Sequence, residues 1–330
     1  MHSSQSVQPA QPTCLVTGAA GFIGSHLSEA LVARGYAVIG VDAFVDFYPR
    51  AMKETNLAAL RQEPLFTFIE ADLRTADLTQ LLAGVDYVFH LAAQAGVRTS
   101  WGEGFTSYVE HNVLVTQRLL EAAKESNVRR VIYASSSSVY GHGSTQPAHE
   151  TNTLLPISPY GVTKLAGEYL CRLYTKEFDL PTISLRYFTV YGPRQRPDMA
   201  FHKFIRAILQ GEQVTIYGNG EQSRDFTYVS DIVAANIAAM RYGLPGNCYN
   251  IGGGVRVTVN EVLHMLEQIT EKRAYVHYIA RQHGDAAHTA SNTDAARAEL
   301  GYNPRFNLAD GLSREVRWVA EQLEPVVQLV

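Results

Sequence analysis

The run Cys14-Leu15-Val16-Thr17-Gly18-Ala19-Ala20-Gly21-Phe22-Ile23-Gly24 constrains this chain more than any other. Its first four residues read as a short buried strand, its glycines as a turn, and the spacing of Leu27, Leu31 and Val32 beyond it as a helix. Strand, glycine turn and helix in direct succession open a parallel β-α-β unit. The glycines fall at positions 0, 3 and 6. Gly18 allows the turn, Gly21 lets the backbone approach a pyrophosphate, and Gly24 lets helix and strand pack closely. The helix start, with Phe22 and Ile23, offers N–H groups to the anion.

The next strand, Ala37 to Val41, ends in Asp42, eighteen residues past Gly24. A carboxylate there accepts hydrogen bonds from both adenosine ribose hydroxyls and repels a 2′-phosphate, so it favours NAD over NADP. A strand-end turn residue is the plainer reading of Asp42. Further strands follow at Phe66 to Ile69, Tyr87 to Leu91 and Arg130 to Ala134, with helices near Asp77 to Leu82 and Ser107 to Ser126 between them. The alternation predicts an α/β fold, a doubly wound parallel Rossmann-type sheet. Ligands in such sheets bind at the carboxyl ends of the strands, where Gly18, Asp42, Asp72, Ala92 and Ser135 to Ser138 fall.

Tyr160 and Lys164 are one helical turn apart. On one face of a helix the ammonium would favour the ionised phenol and make it usable as a base near neutral pH. Ser158 is placed to cap that helix, Pro159 suits its first turn, and Ala166, Tyr169, Leu170 and Leu173 repeat with helical period. Alone, such a pair also fits an amphipathic tyrosine beside a solvated lysine.

Together these motifs resemble the extended short-chain dehydrogenase/reductase family, with its Thr-Gly-x-x-Gly-Phe-x-Gly opening and its Ser/Thr and Tyr-x-x-x-Lys set, from Thr13 onward. The resemblance implies that Asp72 and Leu73 flank the adenine and that Leu91, Ala92, Ala93 and Gln94 line the middle of the NAD cofactor. It also implies that Lys164 holds the nicotinamide ribose and that Tyr160 is the acid/base. Matching the family's serine motif to Ser135-Ser136-Ser137-Ser138-Val139 makes Ser136 the hydroxyl that bridges Tyr160 and the reacting oxygen, with Ser137 and Ser138 facing the sugar. Members that eliminate water carry Asp-Glu at those two positions, and related decarboxylases a Glu at the second. Serines there leave a 4-keto sugar only re-reduction, so the expected outcome is epimerisation.

Thr189-Val190-Tyr191-Gly192-Pro193, followed by Arg196-Pro197-Asp198-Met199-Ala200, resembles the UDP-glucuronate 4-epimerases; galactose-type enzymes have Asn at the position of Thr189. Ser137, Ser138 and Thr189 could hydrogen-bond a carboxylate, although hydroxyls alone would equally accept a hydroxymethyl. Arg196 either adds a positive charge or is a solvated loop residue. The segment from Arg224 to Val229 is similar to the family's diphosphate-binding Arg-Asp-Phe/Tyr, with Tyr217 on a preceding strand. Arg281-Gln282-His283-Gly284-Asp285 departs from the frequent Arg-x-Gly-Asp by one residue, leaving Arg281 or Gln282 as the nucleotide contact beside Asp285. The resemblance divides the chain into an NAD-binding domain, residues 13–186 plus about 229–252, and a smaller mixed α/β nucleotide-sugar-binding domain, residues 187–228 plus about 253–330. A homodimer through the helix faces of Ser107 to Ser126 and Ser158 to Lys176 is implied, the alternative being that these faces pack only on their own sheet.

A net charge of −4 over 330 residues gives no basic field for nucleic acid. No run approaches the ~18 apolar residues of a membrane span. Cys14, Cys171 and Cys248 are odd in number and unpatterned; they read as small buried hydrophobes in a reducing, cytoplasmic setting. No metal is assigned, because the eleven histidines form no ligand pattern. Met1 to Pro12, rich in Ser, Gln and Pro, reads as a disordered leader.

Overall fold

The computed structural model describes residues 11–142 and 147–323. Its centre is a seven-stranded sheet of β1 (Thr13–Thr17), β2 (Ala37–Asp42), β3 (Phe66–Glu70), β4 (Tyr87–His90), β5 (Arg130–Ser136), β6 (Thr182–Tyr187) and a late strand, Cys248–Ile251. Neighbours run in the order Cys248–Ile251, β6, β5, β4, β1, β2, β3. Every pairing is parallel. The chain winds outward from β1 to β3, then crosses back to β4. The gap between the ends of β1 and β4 is therefore the topological switch point, where ligands of such sheets bind.

Helix α1 (Phe22–Val32) and the helix Val229–Tyr242 cover one face of this sheet; Leu78–Leu81, Val115–Lys124 and Pro159–Phe178 cover the other. The capping signals hold: Ser158 Oγ accepts from Gly161 N at 3.1 Å, with Pro159 in the first turn. The apolar period of that helix gives its existence but not its buried side. Gly161, Lys164, Gly167, Glu168, Cys171 and Tyr174 face inward, whereas Tyr169 is 58% and Leu173 49% exposed. A Cβ on Gly161 would stand 2.5 Å from the Ser138 carbonyl oxygen, so the helix rides directly on the serine-rich end of β5.

Other departures are local. The helix expected over Ser107 to Ser126 is interrupted by a π turn, Val109–Leu114. That turn puts Asn112 against the backbone of Gln94, which donates to Asn112 Oδ1 at 2.8 Å and accepts from its Nδ2 at 2.9 Å. The leader Met1 to Pro12 lies outside the described residues up to Ala10. Its last two residues are not loose: Gln11 donates to the Gly35 carbonyl and Pro12 O accepts from Ala37 N. Sequence reading also leaves unassigned the helices Arg50–Leu57 and Ala200–Gln210, the small pairs Val190–Tyr191 with Thr227–Tyr228 and Ser223–Asp225 with Arg256–Thr258, and the strand Tyr275–Ile279 that pairs with the expected strand ending at Tyr217, Gln213–Tyr217. Among the described residues no helix is long and apolar enough to cross a membrane.

Candidate active site

Two clefts meet at the carboxyl ends of the central strands. The first, about 1230 Å³, is lined by Gly18, Gly21, Phe22, Ile23 and Gly24, by Asp42, Asp72, Leu73 and Leu91 to Gln94, and by Tyr160, Lys164 and Arg196. Gly18 sits at φ +71°, and a Cβ on it would meet Ala92 N at 3.0 Å; one on Gly24 would stand 2.1 Å from Gly18 O. A side chain at either point would run into this backbone, so the turn and the close seating of α1 on it require glycine. No side chain caps the start of α1, so its first N–H groups remain available to an anion. Asp42 at the end of β2 accepts from Ala20 N at 3.2 Å and Phe44 N at 2.8 Å. A glycine cradle, uncapped helix and ribose-height carboxylate fit a dinucleotide.

Asp72 is less free than the sequence suggests. Arg74 grips its carboxylate with Nη2 at 2.8 Å and Nε at 3.0 Å, and this pairing holds its pKa below the usual carboxylate value. Arg74 also bridges to Glu110 at 2.7 Å.

Tyr160 stands partly exposed in the cleft wall, edge-on to Tyr108 with ring centroids 6.1 Å apart. Its pKa is raised by burial, against which a hydrogen bond with Ser136 and the charge of Arg196 pull downward. Lys164 lies one turn further along the same helix, buried. Its Nζ donates to Ala134 O at 2.8 Å, beneath the Tyr133 ring. Burial also lowers the Lys164 pKa, to about 8. That bond anchors the lysine to the end of β5. His90, held between Thr17 and Thr116, is neutral: burial and then the charge of Lys164 bring its pKa to about 3.

The second cleft, about 720 Å³, is lined by Ser137, Ser138, Thr189, Arg224, Asp285 and Thr289, among others. Ser136 lies at its edge, accepting from Ser138 N at 3.1 Å and donating to Ser138 Oγ at 3.1 Å. The Thr289 hydroxyl is buried in it without a partner. Burial lowers the pKa of Arg224; the charge of Asp285 opposes this, and those of Arg281 and Arg98 add to it. Three guanidinium groups thus lie about Asp285, one of them on its carboxylate. Arg98 meets Asp285 at 2.8 Å and lies 4.0 Å over the Tyr217 ring, while Arg281 donates to Asp285 O at 2.6 Å. Gln282 is exposed, bonds weakly to Ala280 O and lines neither cleft. Arg196 is clamped by Asp198 at 2.9 and 3.0 Å and lines the first cleft with Tyr160 rather than the second.

Sequence reading misses Arg98, Lys53, His111 and Thr289. Only Arg98 carries a signal, standing in the loop that follows the end of β4.

A doubly wound sheet whose switch point opens beside a serine, a tyrosine and a buried lysine defines an extended short-chain dehydrogenase/reductase. The family model described as NAD dependent epimerase/dehydratase matches residues 14–252, and the chain belongs to that family. The uncharacterized UDP-glucose epimerase YtcB of Bacillus subtilis (strain 168) is 47% identical over 308 residues, 93% of this chain and 97% of its own length. The UDP-glucuronate 4-epimerase of Thermodesulfobacterium geofontis is 36% identical over 315 residues, 94% and 97% of the two chains. The crystal structure of UDP-glucuronic acid 4-epimerase from Bacillus cereus, in complex with UDP-glucuronic acid and NAD, is similar with a TM-score of 0.92 and 44% identity, covering 94% of this chain and 99% of that one.

Proposed function

We propose that this enzyme interconverts UDP-glucuronate and UDP-galacturonate by NAD-dependent epimerisation at C4. The observation that carries the reading is the hydroxyl set Ser137, Ser138 and Thr189 in one cleft with Arg224. Asp285 is the cleft's carboxylate among the described residues, and Arg98 holds it. No free acid is therefore placed to expel a hydroxyl or manage an enolate.

When bound, NAD supplies an acceptor for the C4 hydride and afterwards returns it. Gly18, Gly21, Gly24 and the start of α1 would hold its pyrophosphate, Asp42 its adenosine ribose and Lys164 its nicotinamide ribose. Tyr160 takes the 4-hydroxyl proton, and Ser136 hydrogen-bonds the same oxygen. Arg224, with Arg98 and Arg281 beside it, anchors the diphosphate while the 4-keto sugar turns over. Tyr160 then returns the proton, serving as base and then as acid. A second reading, UDP-glucose epimerisation, draws support from the name of the 47% identical relative.

A 4-keto uronate loses carbon dioxide when the bond to its carboxyl carbon aligns with the carbonyl π system. Ser137, Ser138 and Thr189 hold the carboxylate out of that alignment. Thr189→Ala is therefore expected to release UDP-pentose from UDP-glucuronate, resolved by chromatography with mass detection. Full activity with unchanged product purity would remove Thr189 from this role.

The apolar stripe turned away from the sheet supports a homodimer: Val162, Tyr169 and Leu173 are exposed, as is Leu114 on the neighbouring helical segment. Light scattering should give the mass of two chains; the mass of one would contradict it. Three free cysteines, two of them fully buried, support a cytoplasmic setting. The division into an NAD-binding unit and a nucleotide-sugar unit is supported by the return of Cys248–Ile251 to the central sheet beside β6.

A further inference from the structure

Beside Asp42 the first cleft holds a second charged group. Lys53, on the helix Arg50–Leu57, is only 6% exposed. Its Nζ donates to Val45 O at 3.2 Å, stands 3.6 Å from Asp42 Oδ1 and lies 5.0 Å from the centroid of the Tyr48 ring. Asp42, Val45, Tyr48 and Lys53 line the cleft together. An ammonium has three N–H bonds, and a separation of 3.6 Å is longer than a close charge-assisted hydrogen bond. The lysine is therefore not saturated by the protein around it. Keeping a charge in so dry a place costs desolvation, which the carboxylate of Asp42 at 3.6 Å offsets only in part.

The pair also changes the charge that a dinucleotide meets. Asp42 alone would repel a 2′-phosphate; next to Lys53 the local charge sums to zero. We infer that Lys53 is a specificity-determining residue of the cofactor site, donating to the adenosine ribose beside Asp42 and setting how strongly a 2′-phosphate is excluded. The inference rests on the placement of that ribose at Asp42.

The test is calorimetric titration of the purified protein with NAD and with NADP, in wild type, Asp42→Ser, Lys53→Met, Lys53→Gln and the Asp42→Ser/Lys53→Met double variant. Lys53→Met is expected to weaken NAD binding about tenfold, the worth of one well-placed hydrogen bond. Lys53→Gln, which keeps a donor, should stay within about threefold of wild type and shows that the site still folds. Asp42→Ser frees the ammonium for a 2′-phosphate and should shift preference toward NADP by tenfold or more, roughly one charge-assisted contact. Adding Lys53→Met to it should cancel that shift. Equal NADP affinity in Asp42→Ser and the double variant, or wild-type NAD affinity in Lys53→Met, overturns the role of Lys53. Unchanged affinities for both nucleotides in Asp42→Ser overturn the ribose placement as well, which distinguishes the two failures.

Discussion

Replacing Tyr160 with phenylalanine is expected to lower turnover ~10²–10⁴-fold, the usual worth of general acid–base catalysis. The substitution is selective because phenylalanine keeps the edge-on contact with Tyr108 and removes only the oxygen. Lys164 keeps its bond to Ala134 O, so NAD should be retained at the wild-type level. The nucleotide contacts proposed above lie in the other cleft, round Arg224, so KM should move far less than kcat. Steady-state kinetics with nucleotide content measured on the same preparation checks all three. Turnover within tenfold of wild type would remove Tyr160 from the proton-transfer step.

Glu168→Ala should cost ~3–5 kcal/mol of stability, the penalty for leaving one member of a buried ion pair alone. Glu168 meets Arg186 at 2.7 Å, and the two side chains are 3% and 4% exposed. Arg186 Nη1 also donates to Tyr140 Oη at 2.9 Å, and that hydroxyl donates to Asn250 Oδ1 at 2.7 Å. The network fastens the catalytic helix to β5, β6 and Cys248–Ile251. Truncating the glutamate strands a guanidinium where water cannot reach it. Replacing both partners with methionine should cost much less, because no charge is left behind. Denaturant unfolding of the two variants makes the comparison. A loss under 1 kcal/mol in Glu168→Ala would show that the arginine finds another partner.

Much of this fold is legible because its signals are local. The glycine turn after β1, Asp42 at the end of β2 and the cap at Ser158 each need only a few consecutive residues, and each stands at the expected place in the fold. The helix Ala200–Gln210 is written in the period of Phe201, Phe204, Ile205 and Ile208, although sequence reading passes it over. Strands of two or three residues, such as Val190–Tyr191 and Ser223–Asp225, are too short to show alternation; they exist because partners elsewhere in the chain pair with them.

The site divides the same way. Tyr160, Lys164 and Ser136 are recognisable by type and order, but the aim of a lysine is not. The Ala134 carbonyl accepts from Lys164, and Arg196, thirty-six residues beyond Tyr160, lines the same cleft as the phenol. Arg98 reaches Asp285 across 187 positions of sequence, a contact no spacing rule foretells. The apolar stripe of Tyr169 and Leu173 is visible as a period, but a period does not say whether the sheet or a second chain covers it.

The most direct test of the account is incubation of the purified enzyme with UDP-glucuronate and, separately, with UDP-glucose, both with NAD, the products being resolved by chromatography. UDP-galacturonate from the first and no product from the second is the predicted result. UDP-galactose from the second alone would keep Tyr160 and the epimerisation but contradict the carboxylate role given to Ser137, Ser138 and Thr189.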